Sequence, residues 1–200
     1  FTNLLNKAVQ LADWDGFPAR KAESLARGRL RGRGISDYLE LTGPPGREMG
    51  GIRFEPNGDV TIVTGTLDYG QGHASPFAQI LSSKLGIPFE SIRLLQSDSD
   101  RLLFGAGTGG ARSAMMGGSA AIEAANLVIK KGKALAGELL EAAEADIEFR
   151  VDGNEGRFVV AGTDRSVSLM DLAAKHPGRI DTMHVTEVIP SAFPNGCHVC

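Results

Sequence analysis

The sequence predicts an α+β (mixed α/β) fold with mixed sheets and packed helices. Three observations predict it. Turn signals at Pro56-Asn57-Gly58 and Asp152-Gly153-Asn154 each separate two strand-like runs, as Gly and Asn tolerate the positive φ a hairpin needs. Two other strand-like runs lead through a glycine-rich loop into a helical pattern. Ser113 to about Ala145 carries the longest apolar spacing of three and four residues. Hairpins mixed with strand–loop–helix units argue against a clean doubly wound sheet.

Taken in order, residues 2–13 read as a helix, with Thr2 or Asn3 available as a cap. Pro18 opens a second helix that Gly28 ends. Leu30 to Leu41 reads as a strand with Ile35, Leu39 and Leu41 on one side, and Gly43-Pro44-Pro45-Gly46 as an exposed break. Gly51–Glu55 and Asp59–Thr66 form the first hairpin. Phe77, Ile80, Leu81 and Leu85 mark the buried side of a helix that Gly86 stops and Pro88 keeps from returning. Ser91–Gln96 is the next strand, followed by the polar Ser97-Asp98-Ser99-Asp100.

In the long helix, Ile122, Ala125, Val128, Ile129, Leu135, Leu139 and Ala143 form the apolar stripe. Gly132 and Gly137 each weaken it by ~1 kcal/mol, so a break near Lys130–Lys133 is expected. Ile147–Val151 and Gly156–Val160 make the second hairpin. Ser168-x-x-Asp171 then resembles a capping box before a short helix that His176-Pro177-Gly178 closes. Asp181–Ile189 is a last strand before a turn.

With 200 residues, 42% hydrophobic and 22% charged, the chain can bury a real core in one domain or two small ones. A net charge of −3 argues against a general nucleic-acid or membrane-surface binder. No apolar run reaches the roughly 18 residues of a membrane span, and no charged-then-apolar leader opens the chain. The expectation is a cytoplasmic protein. The start at Phe1, inside an amphipathic pattern, and the stop at Cys200, where a strand begins, read as a fragment of something longer.

Six of the 26 glycines fall in two loops. Gly70-Gln71-Gly72-His73 follows the run Asp59 to Thr66, and Gly105-Ala106-Gly107-Thr108-Gly109-Gly110-Ala111-Arg112-Ser113 follows the run Ser91 to Leu95. A helix N-terminus presents unpaired N–H groups and partial positive charge, which suits an anionic, heteroatom-rich ligand. Two such loops in one small domain point to one large ligand held at two places. The first loop also reads as a tight turn with a polar cap. Gln71 adds an amide donor and acceptor, which suits a flat heterocycle or an oxo group. Asp68 would repel a phosphate unless its side chain satisfies the turn.

Gly105-x-Gly107-x-x-Gly110 has the letters of a dinucleotide-binding fingerprint in the wrong setting. Ser97 to Phe104 separate it from its strand, and no second strand brings a ribose-binding acid. A P-loop is excluded, because no Gly-Lys-Ser/Thr ending is present. Cys197-His198-Val199-Cys200 lacks the second ligand pair of a structural zinc site, so no metal is assigned. His73, His176, His184 and His198 have no metal-ligand spacing. The cluster Arg20, Lys21, Arg27, Arg29, Arg31 and Arg33 reads as a solvated or interface face, and Asp98 and Asp100 as a loop satisfying its own backbone. No nucleophile–base set can be assembled, so no catalytic residue is assigned.

The run Gly65-Thr66-Leu67-Asp68-Tyr69-Gly70-Gln71-Gly72-His73, then Phe77-Ala78-Gln79-Ile80 and Leu85-Gly86-Ile87-Pro88, resembles the large subunit of molybdenum hydroxylases. So do Ser97-Asp98-Ser99-Asp100, Phe104-Gly105-Ala106-Gly107-Thr108-Gly109, Arg112-Ser113 before Gly117-Gly118, and Phe193-Pro194-Asn195-Gly196. This is the xanthine dehydrogenase/aldehyde oxidase family, in its carbon-monoxide-dehydrogenase-like branch, and the similarity runs through essentially the whole chain.

The resemblance implies a molybdopterin, often as its cytosine dinucleotide, held partly by Gly70, Gln71, Gly72 and His73 and by Thr108, Gly109, Gly110, Ala111, Arg112 and Ser113. It implies hydroxylation of an aldehyde, N-heterocycle or CO-like substrate with water as oxygen source. Electrons would pass to iron–sulfur and flavin partner units in an oligomer. The family's catalytic glutamate has no match, and Glu48, Glu55 and Glu187 sit in the wrong contexts to replace it. Residues 1–200 are thus expected to be a central part of the molybdopterin-binding domain, inactive alone and needing the rest of the large subunit to complete the cofactor site. Within them, 1–45 would be lead helices and strand, 46–146 the glycine-loop core, and 147–200 a hairpin, short helix and strand. Two rival readings stay open: a non-catalytic assembly module of the same fold, and a nucleotide-binding enzyme using Gly105–Gly110.

Overall fold

The computed structural model describes residues 1–43, 46–187 and 192–200. In chain order the elements are α1 (Thr2–Leu11), α2 (Phe17–Ala26), β1 (Ile35–Leu39), β2 (Glu48–Phe54), β3 (Val60–Thr64), α3 (Ala74–Leu85), β4 (Ile92–Leu95), α4 (Gly118–Leu139), β5 (Ile147–Asp152), β6 (Glu155–Val160), β7 (Ser166–Ser168), α5 (Leu169–Lys175), β8 (Thr182–Thr186) and β9 (Asn195–Val199). This is the α+β class expected. The chain divides into two compact units, one of residues 1–42 with 192–200 and one of residues 43–191.

In the first unit, β1 pairs antiparallel with β9, Ile35 opposite Val199 and Leu39 opposite Asn195. The expected strand from Leu30 is trimmed at its start, because backbone pairing begins only at Gly34, which bonds to Cys200, and Leu30 stays 95% exposed. Neither Thr2 nor Asn3 caps α1. Phe1 holds the cap position without a side-chain bond. Pro18 lies in the first turn of α2, where its missing N–H removes no helical bond, and Gly28 follows the helix with φ +69°. Cys197 lies in β9 and Cys200 follows it; both are free thiols.

The second unit holds the core. Its main sheet has the order β4-β3-β2-β8. The β2–β3 hairpin turns at Asn57-Gly58, with Gly58 at φ +87°, as the sequence predicts. β3 and β4 run parallel, so the chain must cross between them, and α3 makes that crossing. Phe77, Leu81 and Leu85 of α3 are buried together with Ile52, Val60 and Ile62 of the sheet. Gly86 ends α3 in the left-handed region at φ +63°.

The long helix differs from expectation in three ways. It opens with a π-turn at Ser113–Gly117, it stops at Leu139, and neither Gly132 nor Gly137 breaks it. Of the predicted stripe, Ala125, Val128 and Leu135 are buried and Ile129 packs against the core, but Ile122 and Leu139 are exposed, and Ala120, Ala121 and Ala124 are buried as well. The reason is close backbone approach: a Cβ on Gly50 of β2 would lie 2.2 Å from the carbonyl oxygen of Ala120. Small residues let helix and sheet meet there. Gly132 is kept because the Phe158 ring fills the space beside it.

The second sheet, β5-β6-β7, includes a strand the sequence did not reveal. β7 is only Ser166–Ser168, with Val167 as its single apolar residue. Ser168 then accepts the Asp171 N–H at 3.0 Å and caps α5, the expected arm of the capping box. The last predicted strand is present as Thr182–Thr186. Its continuation through Val188 and Ile189, and the Pro44-Pro45 break, lie outside the described residues. No helix among the described residues is long and apolar enough to cross a membrane.

Candidate functional site

The two glycine loops are built differently. In the first, the Asp68 carboxylate occupies the centre of the turn. Its Oδ1 accepts the N–H groups of Gly70 and Gln71, each at 2.7 Å, and of Gly72 at 3.2 Å. Its Oδ2 accepts the N–H of His73 at 2.8 Å. Gly70 at φ +108° and Gly72 at φ +73° curl the backbone so these donors converge. The bonds, led by those from His73 and Gly70, hold the Asp68 carboxyl below its ordinary range despite an opposing push from burial. The expectation that this loop offers unpaired N–H groups to an anion is therefore corrected. The chain's own carboxylate already takes them.

What the first loop offers is side chains. Gln71 Oε1 accepts the Tyr69 N–H, which leaves the amide NH2 without an acceptor among the described residues. His73 is 5% exposed, packs edge-on to Phe77 at 5.6 Å, and has a buried Nδ1 with no partner. With its amide oriented to satisfy both groups, Gln96 donates to Thr66 O at 3.2 Å and accepts the Asp68 N–H at 3.0 Å. Gln96 thus ties the end of β4 to the entrance of the loop. No motif or spacing around Gln96 marks this role.

The second loop keeps its amides free. Among the described residues, the N–H groups of Gly107 through Ala111 make no hydrogen bond. Gly107, Gly110 and Ala111 all have positive φ (67°, 55° and 57°). For Ala111, which has a Cβ, that conformation costs about 1 kcal/mol. The loop is fixed at its edges. Ala106 N–H donates to Gly65 O at 3.2 Å, Gly43 N–H to Gly110 O at 2.7 Å, and Arg112 N–H to Gly109 O at 3.0 Å. The hydroxyls of Thr108 and Ser113 meet at 2.5 Å across it. The π-turn that follows is a helix irregularity often found beside functional sites.

Both loops open on one cleft of about 370 Å³. Gln71 and His73 line it from the first loop, and Thr108, Ala111 and Ser113 from the second. Pro76, Phe77 and Ile80 of α3 give it an apolar wall. Of the sequence-predicted residues, Gln71, His73, Thr108, Ala111 and Ser113 line this cleft, and Gly70, Gly72, Gly109, Gly110 and Arg112 do not. Arg112 turns inward, donating to Glu48 Oε2 at 2.9 Å and to Arg47 O at 3.3 Å. Glu48 is fully buried, and its Oε1 accepts the Met49 N–H at 2.9 Å. Sequence reasoning set Glu48 aside. Its parity with Gly50 and Ile52 on β2, all on the inward face, is the signal that marks it.

Other candidates stand apart. Asp98 Oδ1 accepts the Asp100 N–H at 3.1 Å, the self-satisfied loop that was expected. Glu55 accepts from Thr61 Oγ1 at 2.9 Å and pairs with Arg53 at 3.4 Å. In the basic cluster of the first unit, Arg20 pairs with Asp13, Arg27 with Glu23 at 2.9 Å, and Arg33 stacks on Trp14 at 4.0 Å. No group of three or more His, Cys, Asp or Glu side chains arranged for a metal ion occurs among the described residues.

The donors present fit an organic anion with a planar ring. Thr108 and Ala111, whose N–H groups are free, line the cleft with Gln71, Ser113 and an apolar wall, and His73, with its partnerless Nδ1, borders it. This is an α+β cofactor-binding architecture. Residues 7–200 match the family described as molybdopterin cofactor-binding domain, and the chain belongs to that family, as part of the large subunit of the carbon monoxide dehydrogenase/xanthine dehydrogenase group.

The chain is 34% identical to subunit gamma of the 6-hydroxypseudooxynicotine dehydrogenase complex of Paenarthrobacter nicotinovorans, over 84% of this chain and 21% of that protein. It is 31% identical to the carbon monoxide dehydrogenase large chain of Hydrogenophaga pseudoflava, over 98% of this chain and 27% of that one. Among solved structures, a Cu,Mo-CO dehydrogenase superposes with a TM-score of 0.75 at 28% identity, covering 100% of this chain and 28% of that one. Quinoline 2-oxidoreductase from Pseudomonas putida 86 gives 0.74 at 27%, covering 98% and 28%. The chain thus spans between 21% and 28% of the length of these relatives.

Proposed function

We propose that the cleft between the glycine loops holds the pterin end of a molybdopterin, possessing a cytosine dinucleotide tail, in the large subunit of a molybdenum-dependent hydroxylase. The observation that carries this reading is that Gln71 and His73 from one loop and Thr108 and Ser113 from the other line a single cleft. The unpaired N–H groups of Gly107, Thr108, Gly109, Gly110 and Ala111 bind the cofactor's anionic oxygens. The Gln71 amide donates to a ring or oxo acceptor, and the Thr108–Ser113 hydroxyl pair hydrogen-bonds a second edge. Gly70 and Gly72 serve by shape, placing Gln71 and His73 at the rim.

When bound, the molybdenum–pterin group supplies two-electron oxidative hydroxylation of an aldehyde, N-heterocycle or CO-like substrate, with water as the oxygen source. This chain's own residues bind and orient that group, and Phe77 and Ile80 keep water from one side of it. None of its carboxylates serves as a catalytic base in this reading: Asp68, Glu48 and Glu55 are all committed to partners. Residues 46–146 form the cofactor-binding core, flanked by 1–45 and 147–200. The rest of the large subunit completes the site. Iron–sulfur and flavin units accept the electrons in a cytoplasmic oligomer, and the isolated chain binds cofactor weakly and is inactive.

The test is the molybdenum and pterin content of the full-length protein containing this chain, before and after the paired change Gln71→Ala with Thr108→Ala. A stoichiometric complement in the parent, falling at least tenfold in the variant, supports the reading. A parent protein without pterin, or a variant retaining its full complement, sinks it. Micromolar binding of released cofactor by the isolated chain would count against the need for other segments.

A further inference from the structure

The geometry points to Glu48 as a positioning residue that sets the shape of the second glycine loop, an inference that rests on the cofactor reading above. This carboxylate holds one foot of that loop and lies beside Gly65, on which the other foot rests. At the C-terminal foot, Arg112 donates to Glu48 Oε2 at 2.9 Å, and Glu48 is 0% and Arg112 14% exposed. At the N-terminal foot, Ala106 N–H rests on Gly65 O, and Glu48 Oε1 lies 2.5 Å from where a Cβ on Gly65 would sit. The same Cβ would lie 2.3 Å from Phe104 O, so Gly65, Phe104 and Glu48 are in direct apposition. The carboxylate thus bonds the end of the loop and packs beside the residue that carries its start.

The pair is also expensive for a merely structural contact. A buried ion pair gains little over apolar packing of equal volume, because both charges lose their hydration. This one is not even complete, since Arg112 Nε is buried without an acceptor. What the pair achieves is directional. The guanidinium Nη2, donating to both Glu48 Oε2 and Arg47 O, fixes the residue directly after Ala111, which is held in the left-handed region beside the free N–H groups. Neutralising Arg112 with Glu48 also leaves anion binding to those backbone donors rather than to a cation. Glu48 acts on the cofactor through the loop and does not touch it.

The experiment uses the full-length, cofactor-loaded protein and measures three quantities: cofactor content, the rate of pterin release at fixed temperature by fluorescence, and thermal stability. Content in the parent tests the cofactor reading on its own. Glu48→Gln keeps the shape but has one oxygen for two donors, and release is expected to be about tenfold faster. Arg112→Lys keeps a cation beside Glu48 and the fold with it, but lacks the planar fork, and release is expected to rise severalfold. Protein that loses thermal stability while releasing pterin at the parent rate shows a structural role only and overturns the inference. If Glu48→Gln fails to fold, the Arg112→Lys release rate decides alone: a parent-like rate overturns the inference and a faster one upholds it.

Discussion

Asp68 and His73 are joined through the backbone, the Asp68 carboxylate accepting the His73 N–H at 2.8 Å at the mouth of α3. This bond heads a set that closes the first glycine loop from within. Asp68→Asn replaces one acceptor oxygen with an NH2 group that faces backbone donors. The fold is expected to survive, and the amides of Gly70–His73 to exchange about tenfold faster in hydrogen-exchange measurements. Unchanged protection would show that the loop is held by its glycines alone.

The same carboxylate sets a pH dependence of defined sign. Its pKa in the folded chain lies below the unfolded value, so its contribution to loop order is fully present above the ordinary carboxylate range. That contribution is lost only as pH falls through the depressed value. The His73 amide resonance, followed by NMR down to about pH 2, is expected to shift with a midpoint below that of free aspartate, about 3.9. A midpoint above it would contradict the bonding described.

Gly132→Ala sets two effects of opposite sign against each other. Alanine favours a helix over glycine by about 1 kcal/mol. The new Cβ, however, would lie 2.1 Å from Phe158 Cζ, in a core where overpacking costs about 1–3 kcal/mol. Phe158 is fully buried and cannot swing to solvent. Chemical denaturation is expected to show net destabilisation of about 1 kcal/mol. A stabilised variant would mean that the core is looser than it looks.

Gly65→Ala strikes backbone rather than a side chain. Its Cβ would meet Phe104 O at 2.3 Å and Gly105 Cα at 2.9 Å, so the second loop must move off β3. A loss of about 2 kcal/mol is expected, together with a drop in the cofactor content of the full-length protein. Retention of both would separate the loop's position from cofactor binding.

Ser168→Ala removes the oxygen that accepts the Asp171 N–H at the start of α5. Such a cap is worth about 1 kcal/mol, and thermal unfolding is the measurement. Because Ser168 ends β7, caps α5 and does not line the cleft, cofactor content is expected to stay at the parent level.

The parts of this fold legible in the sequence are those that short-range chemistry decides. Asn57-Gly58 turns the first hairpin, Gly86 ends α3, and Ser168 caps α5, since each needs only its neighbours along the chain. The two glycine loops were legible as well, as were the Gln71, His73, Thr108 and Ser113 side chains that line their cleft. The tertiary structure decided what those loops have left to give. Asp68 takes the amides of the first, while the amides of the second remain free, a division that follows from where one carboxylate folds back.

The long helix makes the same point in the core. Its spacing announced a helix, but the buried face is set by Ala120, Ala121 and Ala124 because Gly50 lets the backbones close to contact. Likewise β1 starts only where Gly34 meets Cys200, not at Leu30, and Glu48 matters because Arg112 comes from 64 residues away to meet it. By itself, then, the sequence determined the local turns, the helix ends and the presence of two glycine loops. Which polar groups stay available, and which face each helix buries, only the tertiary structure decided, because partners distant in the chain compete for the same donors and the same space.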